Sequence, residues 1–412
     1  MKVLFSLDNK LRRNLLVLFA AGLLFWASLA SLLPTLPLYI EDIGATKQQI
    51  GFVMGSFAIG LLLFRPLLGQ LADKRGRKIV LIIGLLSAAI APIGYNFVQS
   101  VPLLLIIRAF HGISIAAFST GFLALVADIA PVENRGELIG YMSLVNPLGM
   151  AIGPALGGYL MESSGYTALF ILSTVLACFG LLFSLPIINP IAQAQEKIIE
   201  SDSSFWLKLL APRIRIPALL LLIIGFTLGN LHTFVTLFIK STEVDLNPGL
   251  FYTVVAIASF NSRLFCGKAS DRFGRGLFIT SSLICYTLAM LLLWTANSSV
   301  QFLFAAIVQG IGGGTIIPMI SAMITDRSYS HERGRTFGLC MIGFDIGVAL
   351  AGPIFGGIAQ KIGYRNIFGF NSGITLIAII IFITLSSKNL PASLRFAFGR
   401  GVDIYSLNKV RS

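Results

Sequence analysis

The chain has 412 residues, of which 56% are hydrophobic and 12% charged, where an average soluble domain carries about 25% charged residues. With a mean hydropathy of +0.85 it holds more apolar surface than a water-soluble fold can hide, so the membrane is its natural solvent. The formal net charge of +13 raises nucleic acid as a partner, and the placement of the charges excludes it.

A helix needs about 20 apolar residues to cross a bilayer, and only helices and closed barrels satisfy their backbone there. The long unbroken apolar runs exclude a barrel, which would alternate with period two. They predict spans near 14–39, 48–68, 79–98, 101–127, 137–160 and 166–188, then 214–239, 249–267, 276–296, 300–324, 336–360 and 365–387. Lys10, Arg12 and Arg13 precede the first run as in a signal peptide, but it is too long for one and lacks a small-residue cleavage site. Between the sixth and seventh spans lies the longest polar break, where Ser204–Leu210 ("SFWLKLL") is expected as a short helix on the membrane surface.

Twelve spans put both termini on one side. Of the 31 Lys and Arg, 24 fall on that side, Lys47, Lys240, Lys361 and Arg365 fall opposite, and Arg65, Arg108 and Arg263 lie within or at the edge of spans. The positive-inside rule then places both termini in the cytoplasm. The expected fold is all-α and polytopic, with 12 transmembrane helices in two six-helix bundles. Residues 1–188 form the first bundle, 189–213 a cytoplasmic linker, 214–388 the second bundle and 389–412 a basic cytoplasmic tail. That tail is either solvated or, through Arg395, Arg400, Lys409 and Arg411, in weak contact with anionic lipid.

A charged phrase occurs twice. "GQLADKRGRK" (Gly69–Lys78) and "GKASDRFGRG" (Gly267–Gly276) share Gly69/Gly267, Asp73/Asp271, Gly76/Gly274 and Arg77/Arg275 at an offset of 198. The offset also relates Arg65 to Arg263, Gly112 to Gly310, Asp128 to Asp326 and Arg135-Gly136 to Arg333-Gly334. After one residue of slippage it relates Gly153-Pro154 to Gly352-Pro353. One half is therefore a copy of the other, and because each holds six spans the copies run parallel across the membrane. Internal repeats of this kind mark transporters.

Over nearly its whole length the chain resembles the major facilitator superfamily, in particular its 12-helix drug:proton antiporter-like exporters. The two phrases resemble the signature loops after the second and eighth spans of that family. "RAFHG" (Arg108–Gly112) resembles the arginine pattern of its fourth span, and "GMAIGPALGG" (Gly149–Gly158) resembles a fifth-span pattern found mainly in proton-coupled exporters. The first resemblance implies that Gly69, Asp73, Gly76, Arg77, Gly267, Asp271, Gly274 and Arg275 form gates that help hold the cytoplasmic side shut. The others imply a gating or proton-coupling role for Arg108 and an export role for Gly149, Gly153, Pro154, Gly157 and Gly158. The first span departs from many multidrug exporters of the family: it has no acid between Asn14 and Tyr39. That argues against the usual proton site there and against recognition of cationic drugs.

The residues carry physical readings of their own. An aspartate favours the positive end of a helix and holds an arginine by charged hydrogen bonds, so each loop can latch two helices and release them. Gly149, Gly153 and Gly157 recur every four residues, a spacing that lets helices pack closely in lipid, and Pro154 removes a backbone donor. Arg108 lies about seven residues into the fourth span, and an ionisable group there is a functional candidate. Asp345, placed inside the eleventh span, could carry a proton or touch substrate, and Asn146 in the fifth span matches it at an offset of 199. His111 beside Arg108 could relay protons or be an ordinary hydrogen-bonded core residue. Trp26, Asn146, Asn230 and His232 are candidates for lining a substrate cavity.

Cys178, Cys266, Cys285 and Cys340 stand singly in apolar runs, without metal-ligand spacing. "GIGGG" (Gly310–Gly314) lies inside a span, so it is not a nucleotide loop, and no GxxxxGK[ST] sequence supports ATP-driven transport. Nothing points to an enzyme, a cofactor or a metal. The expectation is a monomeric secondary transporter of the bacterial inner membrane, exporting a small, fairly apolar organic compound by proton antiport and alternating access. Uptake of a sugar or metabolite, export of a lipid or glycolipid, and a non-transporting receptor or scaffold on the same fold are the alternatives. Saturable flux would separate the last from the rest.

Overall fold

The structure, a computed structural model, describes residues 7–187, 210–329 and 332–407, and these are helical with no strand among them. The surface helix expected at Ser204–Leu210 falls almost wholly outside the described residues, as does His331. The chain forms two compact units, Met1–Lys197 with Asn247–Thr253, and Ile198–Leu246 with Val254–Ser412.

The first unit holds α1 (Asn9–Ser31), α2 (Leu36–Asp42), α3 (Lys47–Arg75), α4 (Arg77–Phe97), α5 (Val101–Ile129), α6 (Arg135–Ser143) and α7 (Val145–Ser184). The second holds α8 (Arg215–Ser241), most of α9 (Pro248–Phe273), α10 (Arg275–Thr295), α11 (Ser299–Asp326), α12 (Arg333–Leu385) and the short α13 (Leu390–Ala397). Local chemistry sets the starts. Thr46 and Gln49 form a reciprocal capping box at α3, Ser298 caps α11, and Asn389 caps α13. Prolines occupy the first turns of α2, α5 and α13, where a missing N–H costs nothing.

Among the described residues, 10 stretches are long and apolar enough to cross a membrane. The breaks predicted near 160–166 and 360–365 are single glycines inside long helices, Gly165 (φ 79°) in α7 and Gly363 (φ 83°) in α12. The first span is also divided. α1 stops at Ser31 and α2 starts at Leu36, because Pro34 has no N–H to continue the ladder. The charged phrases are not loops. α3 continues to Arg75 and α9 to Phe273, and the chain turns only at Gly76 (φ +94°) and Gly274 (φ +88°). Lys74 and Arg75 lie in the last turn of α3, where the helix dipole favours cations.

Each unit has its own apolar core. In the first, Leu18, Phe25, Leu85, Phe118 and Leu125 are buried together, with Phe25 stacked on Phe118. In the second, Leu220, Ile224, Leu283, Tyr286, Ile320, Met323 and Phe382 pack with Phe396 of α13. Large apolar side chains also point outward from mid-helix, such as Leu63 (65% exposed) and Phe265 (74%). Such faces are costly in water and at home in lipid. Inside the first unit, Ser28 of α1 and Ser173 of α7 exchange hydrogen bonds, each hydroxyl reaching the other's carbonyl at 2.7 and 3.0 Å.

Candidate functional site

The repeated phrases build the same device in both units. In the first, Arg77 at the start of α4 donates to Asp73 on α3 at 2.7 Å, and its Nε lies 3.7 Å from Asp128 near the end of α5. In the second, Arg275 at the start of α10 donates to Asp326, the last residue of α11. Asp128 and Asp326 are related by the offset of 198, and so are their arginine partners. The glycine turns at Gly76 and Gly274 set each arginine at the start of the next helix, within reach of the aspartate that ends or nearly ends the helix after that, a reversal that only a left-handed φ gives cheaply. At Gly69 nothing lies within 4 Å of where a Cβ would stand, so close approach is not its role here. Gly267 and Asp271 fall near the end of α9, where the surroundings of Gly267 and the side chain of Asp271 lie outside what is described.

A polar cluster is sealed inside the first unit. α3 and α5 cross so closely that a Cβ at Gly60 would overlap Ala109 O and one at Gly112 would overlap Phe57 O. This crossing sets the Phe57 ring under Arg108, whose guanidinium carbon lies 4.4 Å from the ring centroid. Arg108 is only 7% exposed, and His111 and Tyr95 are fully buried beside it. His111 Nδ1 lies 3.0 Å from Tyr95 Oη and 3.5 Å from Arg108 Nη1. An arginine only donates, so in the neutral ring Nδ1 accepts and Nε2 carries the proton. That leaves Arg108 Nε and His111 Nε2 as buried donors with no acceptor among the described residues. Protonation of the ring would reverse the Tyr95 bond and set two cations side by side. Tyr95 is anchored in turn, because Tyr39 Oη donates to the carbonyls of Tyr95 and Val98, both at 2.9 Å.

The glycines of α7 serve close packing. A Cβ at Gly149 would meet Trp26 and Ala27, one at Gly153 would stand 2.5 Å from Ala27 O, and one at Gly157 would overlap Ser31 O. These three therefore face α1, with Pro154 buried among them. Gly158 faces Asn247 and Gly249, in the short segment grouped with the first unit. The second unit repeats the arrangement with its glycines distributed differently. Gly225 of α8 abuts Phe344 O, Gly229 abuts Ala351 and Val348, and Gly347 of α12 abuts Leu222 O. Asp345 of α12 is 5% exposed and is the one buried carboxylate among the residues whose side chains are described.

Two of the cavity candidates lie in each unit. Trp26 is half-buried on α1, edge-on to Phe25 and Phe118, and Asn146 is half-buried on α7. On α8, His232 is half-buried, whereas Asn230 is fully buried with neither amide atom bonded among the described residues. Sequence reasoning missed Tyr95, which had no repeat or motif to mark it. It saw Asp128 and Asp326 only as matched positions, although matched acids are the signal that could have found the latch partners. Among the described residues, no group of three or more His, Cys, Asp or Glu is placed to hold a metal.

Comparison with known proteins agrees with this geometry. The Major Facilitator Superfamily profile matches residues 18–261 and 239–404. Multidrug resistance protein 1 of Bacillus subtilis is 28% identical over 368 residues, covering 88% of this chain and 93% of that protein. Multidrug resistance protein MdtG of Escherichia coli is 26% identical over 403 residues, covering 92% and 96%. The multi-drug resistance efflux pump PmrA of Streptococcus pneumoniae is 27% identical over 372 residues, covering 86% and 91%. Among solved structures, the nucleoside transporter NupG superposes with a TM-score of 0.74 at 17% identity, covering 90% of this chain and 98% of that one. A D-xylose-proton symporter gives 0.74 at 16%, covering 90% and 96%. At such identities the structures speak for the fold alone. With helices long enough to span, a repeated arginine–aspartate pairing and a profile match over both halves, the chain belongs to the Major Facilitator Superfamily, as a multi-pass membrane transporter resembling drug exporters.

Proposed function

We propose that this transporter exports a small, fairly apolar organic compound in exchange for protons, by alternating access of a site that opens to each side in turn. Counting two crossings in each of the long helices broken at Gly165 and Gly363 gives twelve spans. The charge bias then sets both termini in the cytoplasm of a bacterial inner membrane. In this reading the protein works as a monomer and uses the proton gradient with no cofactor. It binds substrate, protons and lipid, performs no catalysis and has no role with nucleic acid. The two arginine–aspartate latches hold the cytoplasmic end of each unit.

The observation that carries the coupling claim is Asp345, a carboxylate only 5% exposed on α12. A buried carboxylate is neutral or charged according to whether it holds a proton. That change alters the charge of a buried position, where an uncompensated charge is costly. For protons to drive export, proton and substrate must favour different states, because a ligand with no preference shifts nothing. Arg108, His111 and Tyr95 supply a second group whose hydrogen bonds depend on a proton. Export rather than uptake is supported by the α7 glycines and by the relatives' names.

The test uses the purified protein in liposomes and labelled probes: a lipophilic drug panel, a sugar panel and a lipid analogue. A proton gradient of each polarity is imposed. The expected result is movement of one apolar probe against the direction of proton flow. Movement of a sugar with the protons would replace export by uptake, and flux indifferent to the gradient would remove the coupling.

A further inference from the structure

Residues 389–407, after the last span, are folded onto the second unit and are not a solvated tail. Arg327, the residue after Asp326, is wholly buried although it carries a full charge. Its Nε donates to Asp403 at 2.7 Å, Nη1 to the carbonyl of Arg213 before α8 at 3.1 Å, and Nη2 to the carbonyl of Ser386 after α12 at 3.0 Å. Its guanidinium carbon also lies 5.7 Å from the Phe396 ring centroid and 5.1 Å from that of Tyr405. A buried charge is tolerated only when paired and bonded, and here the partners come from the entrance of α8, the exit of α12 and the tail.

The same tail lies on the second latch. Leu407 N and Ser406 Oγ both donate to Asp326 O, whose carboxylate holds Arg275. A Cβ at Gly276 would overlap Phe396 O, and one at Gly399 (φ +71°) would stand 2.6 Å from Phe273 O. Thr280 donates to Ala397 O at 2.9 Å. Two adjacent residues thus divide the work: Asp326 takes the gate arginine, and Arg327 takes the tail.

The first unit shows what is particular to the second. At the offset of 198, Arg327 corresponds to Ile129 and Gly276 to Lys78. Lys78 donates to Leu185 O at 2.7 Å, tying the first latch to the exit of α7. In the second unit that lysine is replaced by a glycine, which makes room for Phe396, and the tie to the exit of the last span passes to Arg327.

We propose that residues 389–407 form a strap that positions the second latch, with Arg327 as its anchor and Gly276 as its seat. The proposal rests on reading Arg275–Asp326 as a latch. The strap keeps α10, α11 and the exit of α12 in one register, so the second gate opens as a unit with the tail. Arg327 touches no substrate in this account and acts through Asp326.

Backbone hydrogen exchange on the full chain in detergent micelles tests it, comparing wild type with Asp403→Asn, Gly276→Lys and Arg327→Lys. Asp403→Asn removes a charged hydrogen bond, and Gly276→Lys restores the side chain of the first unit and evicts Phe396. In both, amides of residues 399–407 and 272–280 should exchange roughly ten- to hundredfold faster, while residues 74–82 of the first latch stay as in wild type. Arg327→Lys keeps the charge and loses the fork, so its exchange should fall between wild type and Asp403→Asn. The proposal is overturned if residues 399–407 loosen while 272–280 do not, if both latches loosen alike, or if the wild-type strap exchanges as fast as an unfolded segment. The latch reading fails separately: Asp326→Asn with unchanged flux of the transported probe would remove it and leave the exchange result standing.

Discussion

Replacing Arg108 by methionine should make the protein more stable and stop it working. Arg108 is nearly enclosed, and among the described residues its bonded neighbours are neutral: a phenyl ring, an imidazole and a phenol. Burying an ion without a counter-ion costs several kcal/mol even after relaxation. Against this, the stack on Phe57 returns about 0.5–2 kcal/mol, and the 3.5 Å contact with His111, at the limit of hydrogen-bond reach, returns at most about 1 kcal/mol. Methionine fills similar volume without charge, and the 3.0 Å Tyr95–His111 bond survives it. The net gain should be about 1–3 kcal/mol, seen as a rise of a few degrees in the melting temperature followed by intrinsic fluorescence. Proton-dependent flux should fall to background in the same variant. A lower melting temperature would show that the guanidinium has a compensating partner. Wild-type flux in a more stable variant would show that the charge is kept for no transport purpose.

The latches should differ in strength. Arg275–Asp326 is the more enclosed, with side chains 26% and 27% exposed against 30% and 46% for Arg77–Asp128. Asp326→Asn should therefore lower the melting temperature more than Asp128→Asn, whose cost should stay within about 1 kcal/mol. Gly157→Val should cost about 1–3 kcal/mol through overpacking against Ser31, seen in thermal denaturation, whereas Gly69→Ala should be nearly silent. In a double-mutant cycle, Ser28→Ala and Ser173→Ala should couple by about 0.6 kcal/mol, the average for such bonds between membrane helices. His111→Gln can still accept from Tyr95 but cannot titrate, so substrate binding should persist while the pH dependence of flux weakens. An unchanged pH profile would take His111 out of the coupling.

Much of this architecture is legible in the sequence because lipid imposes one simple rule, an apolar run for every crossing. The repeat at 198 residues revealed two like units and matched acids. What escaped reading was decided by single residues. Helical runs continued through the charged phrases to Arg75 and Phe273, because the phrases hold no proline and no left-handed glycine before Gly76 or Gly274. The division of the first span turned on Pro34. The packing of Gly149, Gly153 and Gly157 followed from their spacing, but the face they seek, α1, needed coordinates. Tyr95 and Arg327 were invisible for a different reason. A tyrosine near a span end and an arginine beyond one look ordinary until distant segments fold onto them, and the partners of Arg327 lie up to 114 residues away.

Proton movement is the most direct test of the central claim. Liposomes containing the protein and an internal pH dye would be given the apolar probe found to be transported, with wild type and Asp345→Asn side by side. The account predicts that the probe collapses the imposed gradient in wild type and that Asp345→Asn still binds the probe but moves no protons. Equal proton movement in the two proteins would contradict the assignment of Asp345, and probe flux with no proton movement in wild type would contradict antiport itself.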